Sequence, residues 1–548
     1  MLADHGPARH RWWHASLPAA AGAVTLATLS LSPGLLAHEA AIQGVITGLA
    51  AACGYGLGIL VALIARSALH RTRPHLGSGR IRVRLGLLGG AVLVAALVLG
   101  KSWQDDVRAT MGVAPPDTLA WCVTVLVVGT LVAGLLVAVG RMVRRGHLRI
   151  RRSLLARGAG PRVAGTAGAL VAGAVTALGS AALLAVLMAG IQAVFAQVNE
   201  TTTDGVVQPS VQTVSGSADS AVRWADLGAD GRDFIAGVPT PERISAFSGS
   251  PAIDPVRVYV GVDSSQDPVA RARLAVEDLR ALGGFDREVL VVATSTGTGQ
   301  LDPRALEPVE LMYGGDTAIV SSQYSTLPSW LSFLVDQDKA RQAGQTLFTA
   351  VRAAWEGLPA EKRPLLVVFG ESLGSFGAEA PFHDVADLAG RTDGALLVGP
   401  PAVSAVHRAA TDDRDAGSPQ WQPVVDGGRT LRFGSAATDL DNPAGSWNQP
   451  RLAYLQHPTD PVVWWTPSLL WSRPDWLAEP LGPGVWPHLR WLPLVTFLQL
   501  TGDLMDSTSV PAGWGHVYGS HQAAAWGRLI PPTGWTDADT DRLALEFQ

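Results

Sequence analysis

Ser372, Asp460 and His516 are the residues of this 548-residue chain whose types and order could carry out nucleophilic catalysis. Ser372 is the centre of Gly370-Glu371-Ser372-Leu373-Gly374, within "RPLLVVFGESLGSFGAEAPF". Gly-x-Ser-x-Gly is a loose pattern, and among 60 glycines chance supplies about a few tenths of a match. Its context adds what the pattern lacks. Pro364 ends a helix, "LLVVF" reads as a buried strand, and the glycine-flanked serine follows at once. A sharp strand-to-helix turn tolerates only small neighbours and lifts the hydroxyl clear of the sheet. The Leu373 backbone N–H would then face a developing oxyanion.

A serine hydroxyl needs a base to take its proton, and that base needs an acid to orient it. After a strand–elbow–helix unit they follow in the order acid, then histidine. "RLAYLQHPTDPVVWW" offers Asp460 in a turn after an apolar strand, while Asp439 and Asp441 in "SAATDLDNP" compete without a clear strand leading into them. His516, in "VPAGWGHVYGSHQ", occupies a glycine-flanked loop before a helix. His521 falls on that helix, His457 and His488 read as structural or surface, and His383 lies too close behind the elbow to reach back. A second oxyanion donor is expected on the loop after an earlier strand, where "VVATSTGTGQLDP" presents Thr296 and Gly297; a plain polar turn is the competing reading. The Gly-Thr-Gly there lacks the third glycine of a dinucleotide loop. No cofactor is implied, and no metal, since the histidines and carboxylates never reach ligand spacing.

These residues need a sheet to hold them. From residue 256 short continuous apolar runs ("VRVYVGV", "EVLVVATS", "TAIVSSQYS", "LLVVF", "ALLVGPP") alternate with helical patterns such as "DKARQAGQTLFTAVRAAWEGL". That alternation predicts a mostly parallel sheet covered on both faces, an α/β domain over 256–548. Residues 198–255, rich in Thr, Ser, Gly and Asp, read as a linker and lead-in.

The first 197 residues are different in kind. They hold 18 Lys and Arg against 5 Asp and Glu, a net +13, whereas the remainder carries 24 against 42, a net −18. A mean hydropathy of +0.21 is too apolar for an ordinary soluble enzyme of this length. Apolar stretches near 16–37, 41–65, 83–101, 118–140 and 165–195 each reach the ~20 residues a bilayer requires, predicting a helical membrane bundle of about five spans. Their many glycines and alanines allow close helix approach. Arginines gather at 66–84 (Arg66, Arg71, Arg73, Arg80, Arg82, Arg84) and 141–162 (Arg141, Arg144, Arg145, Arg149, Arg151, Arg152, Arg157, Arg162), and Arg9 and Arg11 precede the first span. By the positive-inside rule these face the cytoplasm, which puts the α/β domain outside the cytoplasmic membrane.

Several classes fall away. Cys53 and Cys122 both lie in apolar runs, so the outer domain has no disulfide and no cysteine nucleophile. It also lacks the basic patch with interleaved aromatics that nucleic acid would need.

On "ATSTGTGQLDP", "YSTLPSW", "FGESLGSFG", "HPTDPV" and "GHVYG", the chain resembles the membrane-anchored α/β-hydrolases of actinobacteria, which join a multi-span N-terminal part to a C-terminal catalytic domain. The resemblance covers nearly the whole chain and implies a serine hydrolase with Ser372, Asp460 and His516 as its triad. One departure stands out. The 55 residues between Asp460 and His516 hold Trp464, Trp465, Trp471, Trp476, Trp486 and Trp491. They read either as an apolar cap suited to a lipid or acyl-chain substrate at the membrane interface, or as the core of a helical insert. Tyr324 is a candidate pocket wall. The leading expectation is a membrane-anchored esterase acting on a lipid-like or envelope ester. The alternatives are an acyltransferase with the same triad, or a scaffold or transport protein that keeps the fold without the chemistry; against transport, the spans carry almost no ionisable residue. Oligomeric state is not legible.

Overall fold

Alternation between short β-branched runs and amphipathic helices from residue 256 onward builds one seven-stranded sheet in the order β1-β3-β2-β4-β5-β7-β6. The computed structural model describes residues 17–69 and 79–548. The strands are β1 Val256–Val260, β2 Val289–Thr294, β3 Thr317–Ser322, β4 Leu365–Glu371, β5 Gly394–Val398, β6 Leu431–Gly434 and β7 Arg451–Leu455. Every pairing is parallel, with β2 registered on β4 from Val289↔Leu365 to Thr294↔Gly370. All residues of β1, β2, β3 and β5 are buried, as expected where both faces are covered. The strands' C-terminal ends therefore open at one end of the sheet, where loops can gather reactive side chains.

One detail departs from the sequence reading. "TLRFGS" forms β6, so a strand does lead into Asp439 and Asp441; at four residues, with Arg432 in its middle, it is too short and too polar to stand out. The last two strands are transposed, which sets β7 beside β5 and only two strands from β4.

The segment expected to be a linker is ordered. Val214 and Ser215 are fully buried, Ser215 N–H bonds to Arg257 O at 2.9 Å along β1, and helices Gly228–Ala236 and Pro241–Ser248 follow. Asp278 explains this, because its carboxylate accepts from Ser215, Ser220 and the Ala221 N–H. Deeper in, Arg257 makes two parallel bonds to Glu310 (2.8 and 2.6 Å) with both side chains buried.

By contact density the chain divides into two units. One holds residues 1–179, 469–472 and 488–503; the other holds 180–468, 473–487 and 504–548. The first contains α1 Leu17–Leu29, α2 Ala40–Leu69, α3 Gly79–Thr110, α4 Thr118–Ala156 and the start of α5 Pro161–Glu200. Four of these, α2 to α5, are long and apolar enough to cross a membrane, while α1 has 13 residues. Arg9, Arg11, Arg71 and Arg73 lie outside the described residues.

The arginine segment after 141 is not a loop. It continues α4 without a break to Ala156, since arginine is a good helix former and no proline interrupts the run. At 39 residues the helix is about 58 Å long, well beyond a hydrocarbon core of about 30 Å. Small residues set the helix spacing: Gly22 and Gly54 bring α1 and α2 into backbone contact, and a Cβ on Gly48 would lie 2.7 Å from Gly129 O on α4.

One end of this bundle carries a buried polar network. His38 Nε2 lies 2.7 Å from Asp503 Oδ1, and Leu35 N–H donates to Asp503 Oδ2 at 2.8 Å. Gln104 Oε1 accepts the His38 N–H at 2.8 Å, and Gln43 joins His38 Nδ1 (3.0 Å) to Thr47 Oγ1 (3.0 Å). His38, Gln43, Gln104 and Asp503 are all fully buried, and each polar group is matched.

Candidate active site

Ser372 is one of three non-glycine residues with positive φ among the described residues (φ 58, ψ −127), at the junction between β4 and helix Leu373–Glu379. Such a conformation is strained for serine and persists only where its surroundings fix it. They do so here through the Ser372 N–H, which donates to Val398 O of β5 at 2.8 Å, and the Ser372 C=O, which accepts from Ser375 and Phe376. The flanking glycines are steric necessities: a Cβ on Gly370 would lie 2.4 Å from Gly374 O, and one on Gly374 would lie 2.3 Å from Thr294 O.

Asp460 ends the turn after β7 and caps the short helix Pro461–Trp464, its Oδ1 accepting the Val462 N–H at 2.9 Å. Its Oδ2 receives His516 Nδ1 at 2.6 Å. This fixes the ring with Nε2 outward, and that nitrogen is buried without a hydrogen-bond partner. Gly399 ties the pair to the elbow. It follows Val398, the acceptor of the Ser372 N–H, and its own Cβ would sit 2.4 Å from His516 Cε1. Serine, histidine and aspartate are thus gathered over the C-terminal ends of β4, β5 and β7.

Charge around the imidazole favours its protonated form. Burial alone would pull the His516 pKa down, but the Asp460 charge, the hydrogen bond to it and the Glu371 carboxylate together hold it above its ordinary value. Glu371 itself is pushed up to about 7, first by burial and then by Asp302, with His516 and Arg304 opposing.

Other expected residues occupy different roles. Leu373 is the first residue of its helix, where N–H groups have no intrahelical acceptor. The Thr296 N–H instead closes a turn onto Gln300 O at 3.0 Å, and the Gly297 N–H donates to Ser329 Oγ at 3.2 Å. Asp439 accepts the N–H groups of Ser435 and Ala436, and Asp441 pairs with Arg528. His457 is buried against Gly515 O, His521 is on helix Ser520–Leu529, and His383 is exposed. Tyr324, buried, belongs to an apolar cluster with Phe333 and Leu373, against which Trp465 packs.

Two participants were not anticipated. Tyr518 donates its hydroxyl to Asp460 Oδ2 at 2.8 Å, accepts the His457 N–H at 3.1 Å and stacks on the His457 ring at 4.1 Å. Gly399, at φ 53, makes room for the histidine. The "GHVYG" spacing placed Tyr518 two residues from His516, a proximity that gives no direction; Gly399 had no signal beyond following a strand.

The tryptophans of the long insert divide. Trp464, Trp476 and Trp486 are buried, with the Trp464 and Trp476 rings 5.7 Å apart, so they pack the insert itself. Trp465 stands edge-on to Phe333 at 5.9 Å.

Comparison with known proteins agrees with this fold. Residues 256–543 match an "Alpha/beta-hydrolase family", and residues 31–239 match an "Alpha/beta-hydrolase family N-terminus". No curated protein and no solved structure matches the chain. With more than half of its length in the first match, the chain belongs to the Alpha/beta-hydrolase family.

Proposed function

We propose that the protein is a membrane-anchored serine esterase that hydrolyses a lipid-like or cell-envelope ester outside the cytoplasmic membrane. The observation that carries this is the His516–Asp460 pair with its buried, unpartnered Nε2, whose ring packs on Gly399, the residue after the Val398 carbonyl that holds the Ser372 N–H at the elbow. In the reaction Ser372 Oγ forms a bond to the ester carbonyl carbon while its proton passes to His516 Nε2. The ester C–O bond then breaks, and the alcohol leaves with that proton. Water, deprotonated by His516, attacks the acyl-Ser372, releases the acid and restores the serine.

The Leu373 N–H is the first oxyanion donor in this scheme. Gly297 is the better second donor of the two on its loop, because a change of the Ser329 side-chain rotamer moves Oγ away and frees its N–H. Thr296 is held by a backbone carbonyl. Trp465, Phe333 and Tyr324 form an apolar wall next to Leu373, which supports a substrate with an acyl chain. The four long apolar helices support a bilayer anchor, and the arginine-rich helix ends support a cytoplasmic placement for those ends.

A fluorophosphonate probe tests the nucleophile. Wild-type protein in detergent should label, Ser372→Ala should not, and His516→Ala should label far more slowly. Equal labelling of wild type and Ser372→Ala would sink the assignment. Release of free acid rather than a new ester in the presence of an added alcohol separates hydrolysis from acyl transfer. Protease added to spheroplasts should remove the α/β domain; protection would reverse the orientation.

A further inference from the structure

Helices α1 to α4 line a partly open cavity of about 350 Å³ in the helical unit, a volume typical of small-molecule sites. It runs along α2 from Thr47 to Tyr55 and along α4 from Val125 to Val137, a length of about 12 to 18 Å at the rise of an α-helix. Its walls are almost wholly apolar and built from small side chains.

The two ends differ in chemistry. One is closed by Leu31, Leu97, Trp121 and Val125, all nearly inaccessible. On that side Thr47 Oγ1 already accepts from Ser30 and Gln43, so its polar group is matched by the His38 network. The other end carries half-buried Tyr55 and exposed Arg141, whose guanidinium donates to the Tyr55 hydroxyl at 3.4 Å. Arg141 opens the arginine-rich stretch of α4 that continues through Arg144 and Arg145.

A slot that is apolar, closed at one end and cationic at the other suits an amphiphile with a negative head. We propose that this cavity binds one acyl chain of an anionic phospholipid, with the tail against Leu31 and Val125 and the phosphate on Arg141 and Tyr55. A basic pocket between membrane helices is the usual host for such headgroups. A neutral lipid would leave the guanidinium unmatched, and free phosphate would leave the slot unfilled. The site is independent of Ser372 and of the proposed esterase reaction.

The test uses the full chain in nanodiscs of equal phosphatidylglycerol and phosphatidylcholine, followed by native mass spectrometry of retained lipid. Gly134 lines the slot and a Cβ there meets nothing within 4 Å, so Gly134→Leu fills the space without a backbone clash. Gly86→Leu, equally open but outside the lining, is the control. Wild type and Gly86→Leu should retain about one phosphatidylglycerol per chain, and Gly134→Leu and Arg141→Gln should each retain roughly fivefold less. Unchanged retention in either variant overturns the site. Equal retention of phosphatidylcholine, or no retained lipid in the wild type, overturns the ligand. If Gly134→Leu fails to fold, judged by its elution and helicity, Arg141→Gln decides alone.

Discussion

Tyr518 and His516 bond to the same atom: Asp460 Oδ2 receives the tyrosine hydroxyl at 2.8 Å and the imidazole Nδ1 at 2.6 Å. Two donors on one oxygen divide its negative charge, so Tyr518 moderates how strongly Asp460 holds a proton on the histidine. In the proposed reaction it acts through Asp460, as a positioning residue. Tyr518→Phe removes one donor and keeps the ring. We expect kcat/KM on a p-nitrophenyl ester to fall about tenfold, the equivalent of one hydrogen bond to a charged group. The acid limb of the pH profile should move upward at the same time. A fall in rate with no movement of that limb would assign Tyr518 to packing alone.

In the proposed reaction the imidazole must be neutral to accept the serine proton. Since His516 is held above its usual 6.5, it is protonated and idle over a wider range, and activity is lost as pH falls through that raised value. A kcat/KM profile should therefore show an acid midpoint above 6.5. Asp460→Asn removes the charge that lifts it, so the midpoint should drop while the plateau falls by about 10³–10⁴. A wild-type midpoint below 6.5 would contradict the placement of Asp460 and Glu371 around the ring.

Gly399→Ala tests the space beside the histidine. Alanine at φ 53 costs about 1–2 kcal/mol of backbone strain, a modest loss in thermal stability. Its methyl also meets His516 Cε1 at 2.4 Å, and a displaced base costs about 100-fold in rate. Stopped-flow labelling and calorimetry on the same sample separate the two effects; parallel small changes in both would deny the contact.

Trp465 borders the apolar cluster that contains Leu373. Trp465→Ala should raise KM for a long-chain ester roughly tenfold, the value of an aromatic contact, and leave an acetate ester within about twofold. A uniform change across chain lengths would make the wall structural.

Much of the fold was legible because local chemistry and tertiary role coincide. Strands β1 to β5 and β7 are mostly apolar runs, and the Gly370 and Gly374 requirement can be read directly from the turn they must make. Where a residue's partner is distant in the chain, the reading fails. Asp278 organises residues 214–222 through bonds that no composition reveals, so an ordered segment looked like a linker. Polar content likewise hid β6, and with no proline after Gly140 to stop it, α4 runs on through its arginines. The N–H groups of Thr296 and Gly297 lie on the expected loop, yet Gln300 and Ser329 occupy them, a matter of loop closure rather than residue type.

Asp503 gives the molecule an order of assembly. It is separated by 468 residues from Leu35, whose N–H it accepts, and it also meets His38 in the buried network. During synthesis α1 to α5 are complete some three hundred residues before Asp503, so His38 and Leu35 wait for their acceptor until residue 503 has left the ribosome. Closing such a long loop is slow. A chain that stops before residue 503 therefore lacks the carboxylate that meets the Leu35 N–H and the His38 ring at the end of the bundle.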